Sequence, residues 1–241
     1  MRRSGVQIGS FFLSKERRFR VSRKKGGSIK LQKMLVPKKV ISGALNTMDL
    51  MKIYNKLYAK FGPQHWWPGD SREEIIIGAI LTQSANWKNV EKAIVNLKKN
   101  KSINFSKILK TNNARLSEII KPAGYHNQKA KKLKAVSEFF LKLGSRIPNR
   151  AELLEVHGIG PETADSIRLY AYAQPEFVVD TYTKRIFSKL KLIKYDMKYH
   201  DIKNFFETNL PKDAKLFNEY HALIVQAGKE LKTNKAFLSE F

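Results

Sequence analysis

Residues 153–180, LLEVHGIGPETADSIRLYAYAQPEFVVD, decide the fold of this chain. Gly158 and Gly160 flank Ile159 between two apolar segments, and Pro161 follows where a helix would begin. Glycine permits positive φ angles and a close approach of the backbone to a partner. Proline is favoured at the first helical position because its missing N–H has no partner there. The pattern predicts a helix, a tight hairpin and a second helix, whose free N–H groups are suited to a phosphate.

An aspartate follows this hairpin at a defined distance. Asp180 stands twenty residues beyond Gly160, directly after the apolar run Phe177-Val178-Val179. The order of hairpin, helix, apolar run and aspartate resembles the helix–hairpin–helix motif of the endonuclease III (HhH-GPD) superfamily of DNA glycosylases. The resemblance implies that Asp180 is the catalytic aspartate, whose carboxylate stabilises positive charge on the sugar and activates water. An ordinary helical hairpin, with Asp180 capping the N–H of Tyr182 or Thr183, is the alternative.

The composition of the chain indicates the class of partner that it binds. Its 241 residues carry a formal net charge of +25 and 42% hydrophobic residues, which fits a globular protein with a polyanionic partner, DNA first. Residues 1–47 hold 13 lysines and arginines and one acid, a net +12, which leaves +13 for the other 194 residues. No run of about eighteen apolar residues is present, so no membrane partner is expected. Five scattered histidines and no cysteine argue against a metal, and the missing cysteines exclude an iron–sulfur cluster. We expect no cofactor.

Helical patterns fill the chain from residue 48 onward. Apolar residues at helical spacing from Leu50 to Phe61 predict a first helix, which Gly62-Pro63 ends. Ser71 and Glu74 predict a capping box for the next helix. Further helices are predicted over residues 72–83, 87–98, 103–110, 113–120, 127–143, 150–156, 162–172, 181–190, 199–209 and 213–231. The predicted fold is all-α, and the resemblance implies two lobes around a central cleft.

Two parts of the chain are expected to differ. Residues 1–47 form a basic extension, predicted to be disordered, and residues 48–241 form the glycosylase domain. The resemblance implies one helical-barrel lobe over about 71–173 and a second lobe from about 48–70 plus 174–241. The extension has the composition of an organellar transit peptide, and an upstream mis-start is a further explanation. We expect a monomer, located in the cytoplasm near the nucleoid if the protein is prokaryotic, with organellar targeting left open.

Two hairpins are predicted to clamp DNA phosphates, and ordinary helical turns are the alternative. The residues concerned are Gly124, Tyr125 and Lys129 in the first hairpin and Gly158, Ile159, Gly160 and Thr163 in the second. Gln83 ends an apolar helix in the sequence Leu81-Thr82-Gln83. In the resembling superfamily, a glutamine in a similar setting enters the duplex where the target base leaves, which implies that role for Gln83. A solvated helix end is the alternative.

Adjacent indoles stand in a loop where a helical core stripe does not explain both. Trp66, Trp67 and Pro68, with Trp87 further along, are predicted to form a pocket that stacks on a flipped, cationic base. The alternative is that the indoles seal the junction between lobes. Lys229 is a further pocket candidate, or a solvated lysine.

The residue at position 162 distinguishes two reaction types, attack on the sugar by a lysine amine and hydrolysis by water. The resemblance implies a lysine here in bifunctional members, where the amine attacks the sugar. Glutamate cannot do that, so the sequence predicts a monofunctional hydrolase with Asp180 and Glu162 as catalytic residues. The cysteine-free end after Lys229 narrows the resemblance to the 3-methyladenine DNA glycosylase III branch. Excision of an alkylated purine from damaged double-stranded DNA is therefore expected. An endonuclease III-like AP lyase on oxidised pyrimidines and a non-catalytic DNA-binding protein remain alternatives.

Overall fold

The structure, a computed structural model, describes residues 19–23, 29–33, 47–67 and 69–240. The chain divides into two compact units, residues 1–43 and 44–241. In the first unit, strands β1 (Phe19–Arg23) and β2 (Ile29–Lys33) pair antiparallel, with Val21 opposite Leu31. The disordered extension predicted for residues 1–47 did not include this hairpin. Residues 1–18, 24–28 and 34–46 of that extension lie outside the described residues.

Helices build the second unit. They are α1 (Thr47–Phe61), α2 (Arg72–Leu81), α3 (Trp87–Lys99), α4 (Phe105–Lys110), α5 (Asn113–Ile119), α6 (His126–Leu143), α7 (Arg150–Leu154), α8 (Pro161–Ser166), α9 (Thr181–Lys189), α10 (Tyr199–Asn209) and α11 (Ala214–Thr233). A π-helical stretch, Ile167–Ala171, continues α8, and 3₁₀ turns cover Lys121–Ala123 and Phe237–Glu240. The predicted all-α class is confirmed for this unit. Within the described ranges, no helix is both long and apolar enough to cross a membrane.

Side-chain caps mark where many of these helices begin. The Ser71 hydroxyl accepts from the Glu74 N–H at 3.2 Å, so the predicted N-cap of α2 is present. The carboxylate of Glu74 reaches the N–H of Asp70 instead of that of Ser71, so only half of the predicted capping box forms. Asparagine side chains cap four more helices: Asn86, Asn104, Asn112 and Asn149. Each cap satisfies an N–H that the helix itself leaves unpaired.

The first lobe has its own hydrophobic core. Its buried apolar side chains lie between Ile76 and Tyr172 in the sequence. Helix α2 packs against α3, α6, α8 and the π-helical stretch, and its residues Ile76, Ile77, Ile80 and Leu81 are fully buried. An almost uninterrupted apolar run therefore places α2 at the centre of the lobe, and its C-terminal end is fixed near the hairpin.

The second lobe is held by aromatic rings. Phe177, just before Asp180, stacks on Phe206 of α10 with ring centroids 4.0 Å apart, and Phe187 of α9 meets the same ring edge-on. Tyr220 of α11 donates to the carbonyl of Leu50 at 2.8 Å and so attaches α1. Aromatic pairs contribute about 0.5–1.5 kcal/mol each beyond the area that they bury. These contacts fix the segment that leads to Asp180.

A buried ionic network joins the two lobes. Asp165 of α8 is completely buried, and Arg150 donates to both of its oxygens, at 2.7 and 3.2 Å. Tyr199 and Lys203 of α10 approach the same carboxylate at 2.8 and 3.1 Å. Lys203 also contacts Glu176 in the segment before Asp180. The network therefore connects α8 of the first lobe with α10 and the approach to Asp180 in the second.

Candidate active site

Asp180 lies at the start of α9, where the buried segment Phe177-Val178-Val179 ends. Its Oδ1 accepts from the N–H of Thr183 at 2.7 Å and from the Thr183 hydroxyl at 2.9 Å. The predicted N-cap is therefore present, with Thr183 as the partner. The side chain is 14% exposed. One carboxylate oxygen is thus bound to the helix, and the other faces away from the cap.

His221 of α11 faces that second oxygen. Its Nε2 lies 3.6 Å from Asp180 Oδ2, and its Nδ1 lies 2.5 Å from the Tyr170 hydroxyl. Burial alone would raise the pKa of Asp180, but His221 and the bonds from Thr183 outweigh burial and hold that pKa below its ordinary value. Asp180 is therefore ionised at neutral pH. Sequence reasoning missed both His221 and Tyr170.

Glu162, in the first turn of α8, has the opposite tendency. Desolvation by the surrounding protein and the negative charge of Asp180 raise the pKa of Glu162 to about 7. His221 lowers this pKa by a smaller amount. The side chain keeps an exposed surface, so solvent screens these influences in part. Two neighbouring carboxyl groups with separated pKa values are typical of sites that divide acid and base roles.

Four aromatic side chains gather beside the carboxylates. Trp66, Trp67 and Trp87 pack on one another with centroids 5.3–5.6 Å apart, and Trp67 packs on Tyr170 at 5.0 Å. The structure thus brings the three predicted indoles together and adds Tyr170. A base stacked between two parallel rings needs them roughly 7 Å apart, twice the carbon contact distance. In this conformation the rings lie too close together to admit a base between them.

Gln83 lies at the hairpin, tied down by hydrogen bonds. Its amide nitrogen donates to the carbonyl of Gly158 at 2.8 Å and to the Thr163 hydroxyl at 3.0 Å. Its oxygen accepts from Lys132 Nζ at 2.6 Å. Thr163 is buried, so its hydroxyl serves Gln83 here and not a phosphate. Insertion of Gln83 into a duplex requires these bonds to break.

Gly158 is fixed by conformation and by space. Its φ is +92°, and a methyl group on its Cα would lie 2.4 Å from Lys132 Cγ. Any side chain here is therefore both strained and in collision. Gly160 is exposed at the turn, whereas the side chain of Ile159 is buried in the core of the first lobe. Any contact of Ile159 with a phosphate would therefore have to use its backbone.

The structure corrects the expectation for Lys129. Its side chain is 2% exposed, and its amine donates to the carbonyls of Leu81 and Ala123, each at 2.8 Å. Burial, with the nearby charge of Lys132, lowers the pKa of Lys129 to about 8. The amine holds the end of α2 to the first hairpin, so it does not contact a phosphate. The backbone N–H is also used, since it donates to Tyr125.

Two further candidates, Tyr125 and Lys229, have exposed side chains. Tyr125 is 65% exposed at the first hairpin, beside Gly124, which has a φ of +69°. Lys229 is an exposed residue of α11, and no contact in the described part of the chain brings it to the indoles. Pro68 lies outside the described residues. Among the described residues, no group of three or more histidine and acidic side chains is arranged to hold a metal ion.

Comparison with known proteins identifies relatives that share this organisation. The family model of HhH-GPD superfamily base excision DNA repair proteins matches residues 77–212. A protein named as a DNA repair glycosylase in Methanocaldococcus jannaschii is 47% identical over 198 residues, 78% of this chain and 90% of that protein. Endonuclease III of Sulfolobus acidocaldarius is 32% identical over 123 residues, 49% of this chain and 55% of that protein. The solved structure of H. pylori 3-methyladenine DNA glycosylase, bound to 1,N6-ethenoadenine, superposes with a TM-score of 0.68 at 30% identity. That match covers 77% of this chain and 98% of the other.

Proposed function

The chain belongs to the HhH-GPD superfamily of base excision DNA repair proteins, and from that premise we propose that it hydrolyses the N-glycosidic bond of a flipped alkylated purine such as 3-methyladenine. It is a DNA glycosylase of base excision repair, as the sequence predicted, and its substrate is DNA. The choice of lesion and the absence of strand cleavage belong to the proposal. Similarity to the H. pylori 3-methyladenine glycosylase supports the choice of an alkylated purine.

The pairing of Asp180 with Glu162 carries this proposal. Cleavage of an N-glycosidic bond builds positive charge on the sugar, and an ionised carboxylate in a partly buried site stabilises that charge strongly. Asp180, held by Thr183 and His221, supplies it. A purine alkylated at a ring nitrogen, such as 3-methyladenine, is already cationic in the nucleotide and leaves without a strong acid, so a single carboxylate at the sugar suffices. Water is the nucleophile, because Glu162 stands where a lysine would form a Schiff base.

The aromatic cluster supplies the second part of the site. Trp66, Trp67 and Trp87 present ring faces, and a cationic base binds an aromatic face more tightly than a neutral base does. The ionised form of Glu162 adds a charge that favours the same cationic base. All of these groups come from one chain, so a monomer is sufficient for the reaction.

The decisive experiment measures which base is released. Purified full-length protein is incubated with methylated DNA, and free bases are separated and quantified. Oligonucleotides with uracil, an oxidised pyrimidine or 8-oxoguanine are tested in parallel. We expect release of 3-methyladenine well above that of any other base. Borohydride is then added to a duplicate reaction, with endonuclease III as the positive control, and we expect no covalent adduct with this protein.

Different outcomes reject different parts of the proposal. A borohydride-trapped adduct would show amine chemistry and reject the monofunctional hydrolase. Release of an oxidised pyrimidine or uracil without any alkylated purine would reject the lesion class but keep the glycosylase. Duplex binding without release of any base would favour the non-catalytic alternative.

A further inference from the structure

A chain of three polar groups, Tyr170, His221 and Asp180, runs from the π-helical stretch through α11 to α9. The Tyr170 hydroxyl lies 2.5 Å from His221 Nδ1, and His221 Nε2 lies 3.6 Å from Asp180 Oδ2. The His221 side chain is 7% exposed, and its Nε2 has no hydrogen-bond partner within bonding distance in the described part of the protein. A buried ring nitrogen without a hydrogen-bond partner costs folding free energy, so its presence calls for an explanation.

The tautomer of His221 follows from its neighbours. Burial, with the charge of Asp180, raises the pKa of Tyr170 well above its ordinary value, so the phenol keeps its proton. We assign the phenol as the donor to Nδ1 and place the ring proton of a neutral His221 on Nε2, because an unprotonated Nε2 would turn its lone pair toward the Asp180 carboxylate. Either charge state of His221 then presents an N–H to the carboxylate.

We propose that His221, oriented by Tyr170, is a positioning residue that keeps the Asp180 carboxylate ionised and aimed at the sugar. The inference rests on the proposed function only in taking Asp180 as the catalytic carboxylate. The contact of Nε2 with Oδ2, at 3.6 Å in the free protein, shortens to a hydrogen bond when the flipped nucleotide excludes water. Catalytic hydrogen bonds are often long before the substrate binds.

The environment of Asp180 makes such a partner necessary. Both Thr183 bonds go to Oδ1, so His221 is the group that meets Oδ2. The other titratable groups that act on this carboxylate are Glu162 of α8 and the neutral Tyr170. Glu162, when ionised, disfavours a second negative charge. Burial is the largest influence on the pKa of Asp180 and raises it, whereas His221 and the bonds from Thr183 lower it, so loss of His221 should move that pKa upward.

Three variants test the role of His221. His221→Gln keeps an N–H near Asp180 but loses the ring nitrogen Nδ1 that contacts Tyr170, and His221→Leu loses both groups. Tyr170→Phe removes the hydroxyl but keeps the ring that packs on Trp67. We expect His221→Leu to lower single-turnover base release between about 10- and 100-fold at pH 6, because the carboxylate is misplaced and partly protonated. His221→Gln should restore part of the rate. Circular dichroism and thermal unfolding verify that each variant is folded.

The pH profile separates a positioning role from a structural one. Asp180 works when ionised, so its acid limb marks the pH below which the rate falls. Loss of His221 should move that limb to higher pH, with recovery of rate as pH increases. Because His221 also lowers the pKa of Glu162, the comparison is repeated in a Glu162→Gln background, where the shift should persist. A uniform loss of rate at every pH would overturn the proposal.

A measurement without substrate keeps the inference independent of the proposed function. The carboxyl carbon of Asp180, labelled with ¹³C and assigned by comparison with Asp180→Asn, is titrated by NMR in the folded protein and in His221→Gln. A higher midpoint in the variant supports the role of His221 even if the natural protein releases no alkylated purine. An unchanged midpoint rejects it even if 3-methyladenine is released.

Discussion

Gly228→Ala is a sharp test of the packing that supports Asp180. Gly228 lies in α11 against Tyr182, the second residue of α9, which Asp180 caps. A methyl group on Gly228 would lie 2.1 Å from Tyr182 Cδ1, 2.7 Å from Cγ and 3.0 Å from Cβ. These atoms lie near the root of the side chain, so a rotation of the ring cannot relieve the collision. The start of α9 must move instead.

Two opposing effects set the magnitude. Alanine in a helix interior is favoured over glycine by roughly 0.5–1 kcal/mol. Overpacking a well-filled contact costs about 1–3 kcal/mol. The shortest contact is only 2.1 Å, so we place the collision in the upper half of that range. Gly228→Ala should then lower the free energy of unfolding by about 1–2.5 kcal/mol, a decrease in Tm of roughly 2–10 °C for a unit of this size. Base release should also fall, because Asp180 precedes Tyr182 by two residues.

Tyr182→Ala provides the matched background. With the ring removed, the collision disappears and only the helix preference remains, so Gly228→Ala should then stabilise the protein by roughly 0.5–1 kcal/mol. Thermal and urea unfolding of the four proteins in this double-mutant cycle measure the reversal. An equal effect of Gly228→Ala in both backgrounds, or no effect in the natural protein, would refute the packing described for α9 and α11.

Three further predictions concern charged groups. Lys129→Met should lower the free energy of unfolding by about 2 kcal/mol, because two buried carbonyls lose their donor, and urea unfolding should show little change for the exposed Lys131→Met. Asp165→Asn should lower the free energy of unfolding by about 3–5 kcal/mol in the same assay, because Arg150 and Lys203 lose the countercharge that they share. Equal stability of Asp165→Asn and the natural protein would exclude the network. The kcat/KM for a cationic lesion should increase as the pH rises through about 7, where Glu162 ionises. Glu162→Gln should remove this increase from the measured pH profile.

The fold was predictable where local sequence decides structure. Gly158 and Pro161 mark the hairpin, Ser71 caps α2, and Asp180 caps α9, as expected from their positions. Each of these depends on residues within a few positions of one another. The resemblance to the endonuclease III superfamily was correct for the same reason, since its motif is a contiguous stretch.

The remaining features depend on distant parts of the chain. Tyr170 and His221 are separated by 51 residues. Arg150 and Lys203, which are also far apart in the sequence, both bind the carboxylate of Asp165. Lys129 follows a glycine turn, which suggested a phosphate contact, but packing of α6 against the end of α2 buries its amine. Local patterns do not report such burial. Sequence reasoning therefore found the two carboxylates and the indoles but not the groups that orient them.

The rate of glycosidic cleavage by Asp180→Asn tests the central claim most directly. Asparagine keeps the size of the side chain and can still cap α9, but it removes the negative charge. Single-turnover release of 3-methyladenine and the Kd for lesion-containing duplex are measured for Asp180→Asn and for Asp196→Asn, a change at an exposed position. The account predicts a loss in rate of at least about 100-fold for Asp180→Asn, unchanged DNA affinity, and natural rates for Asp196→Asn. Full release by Asp180→Asn would contradict it.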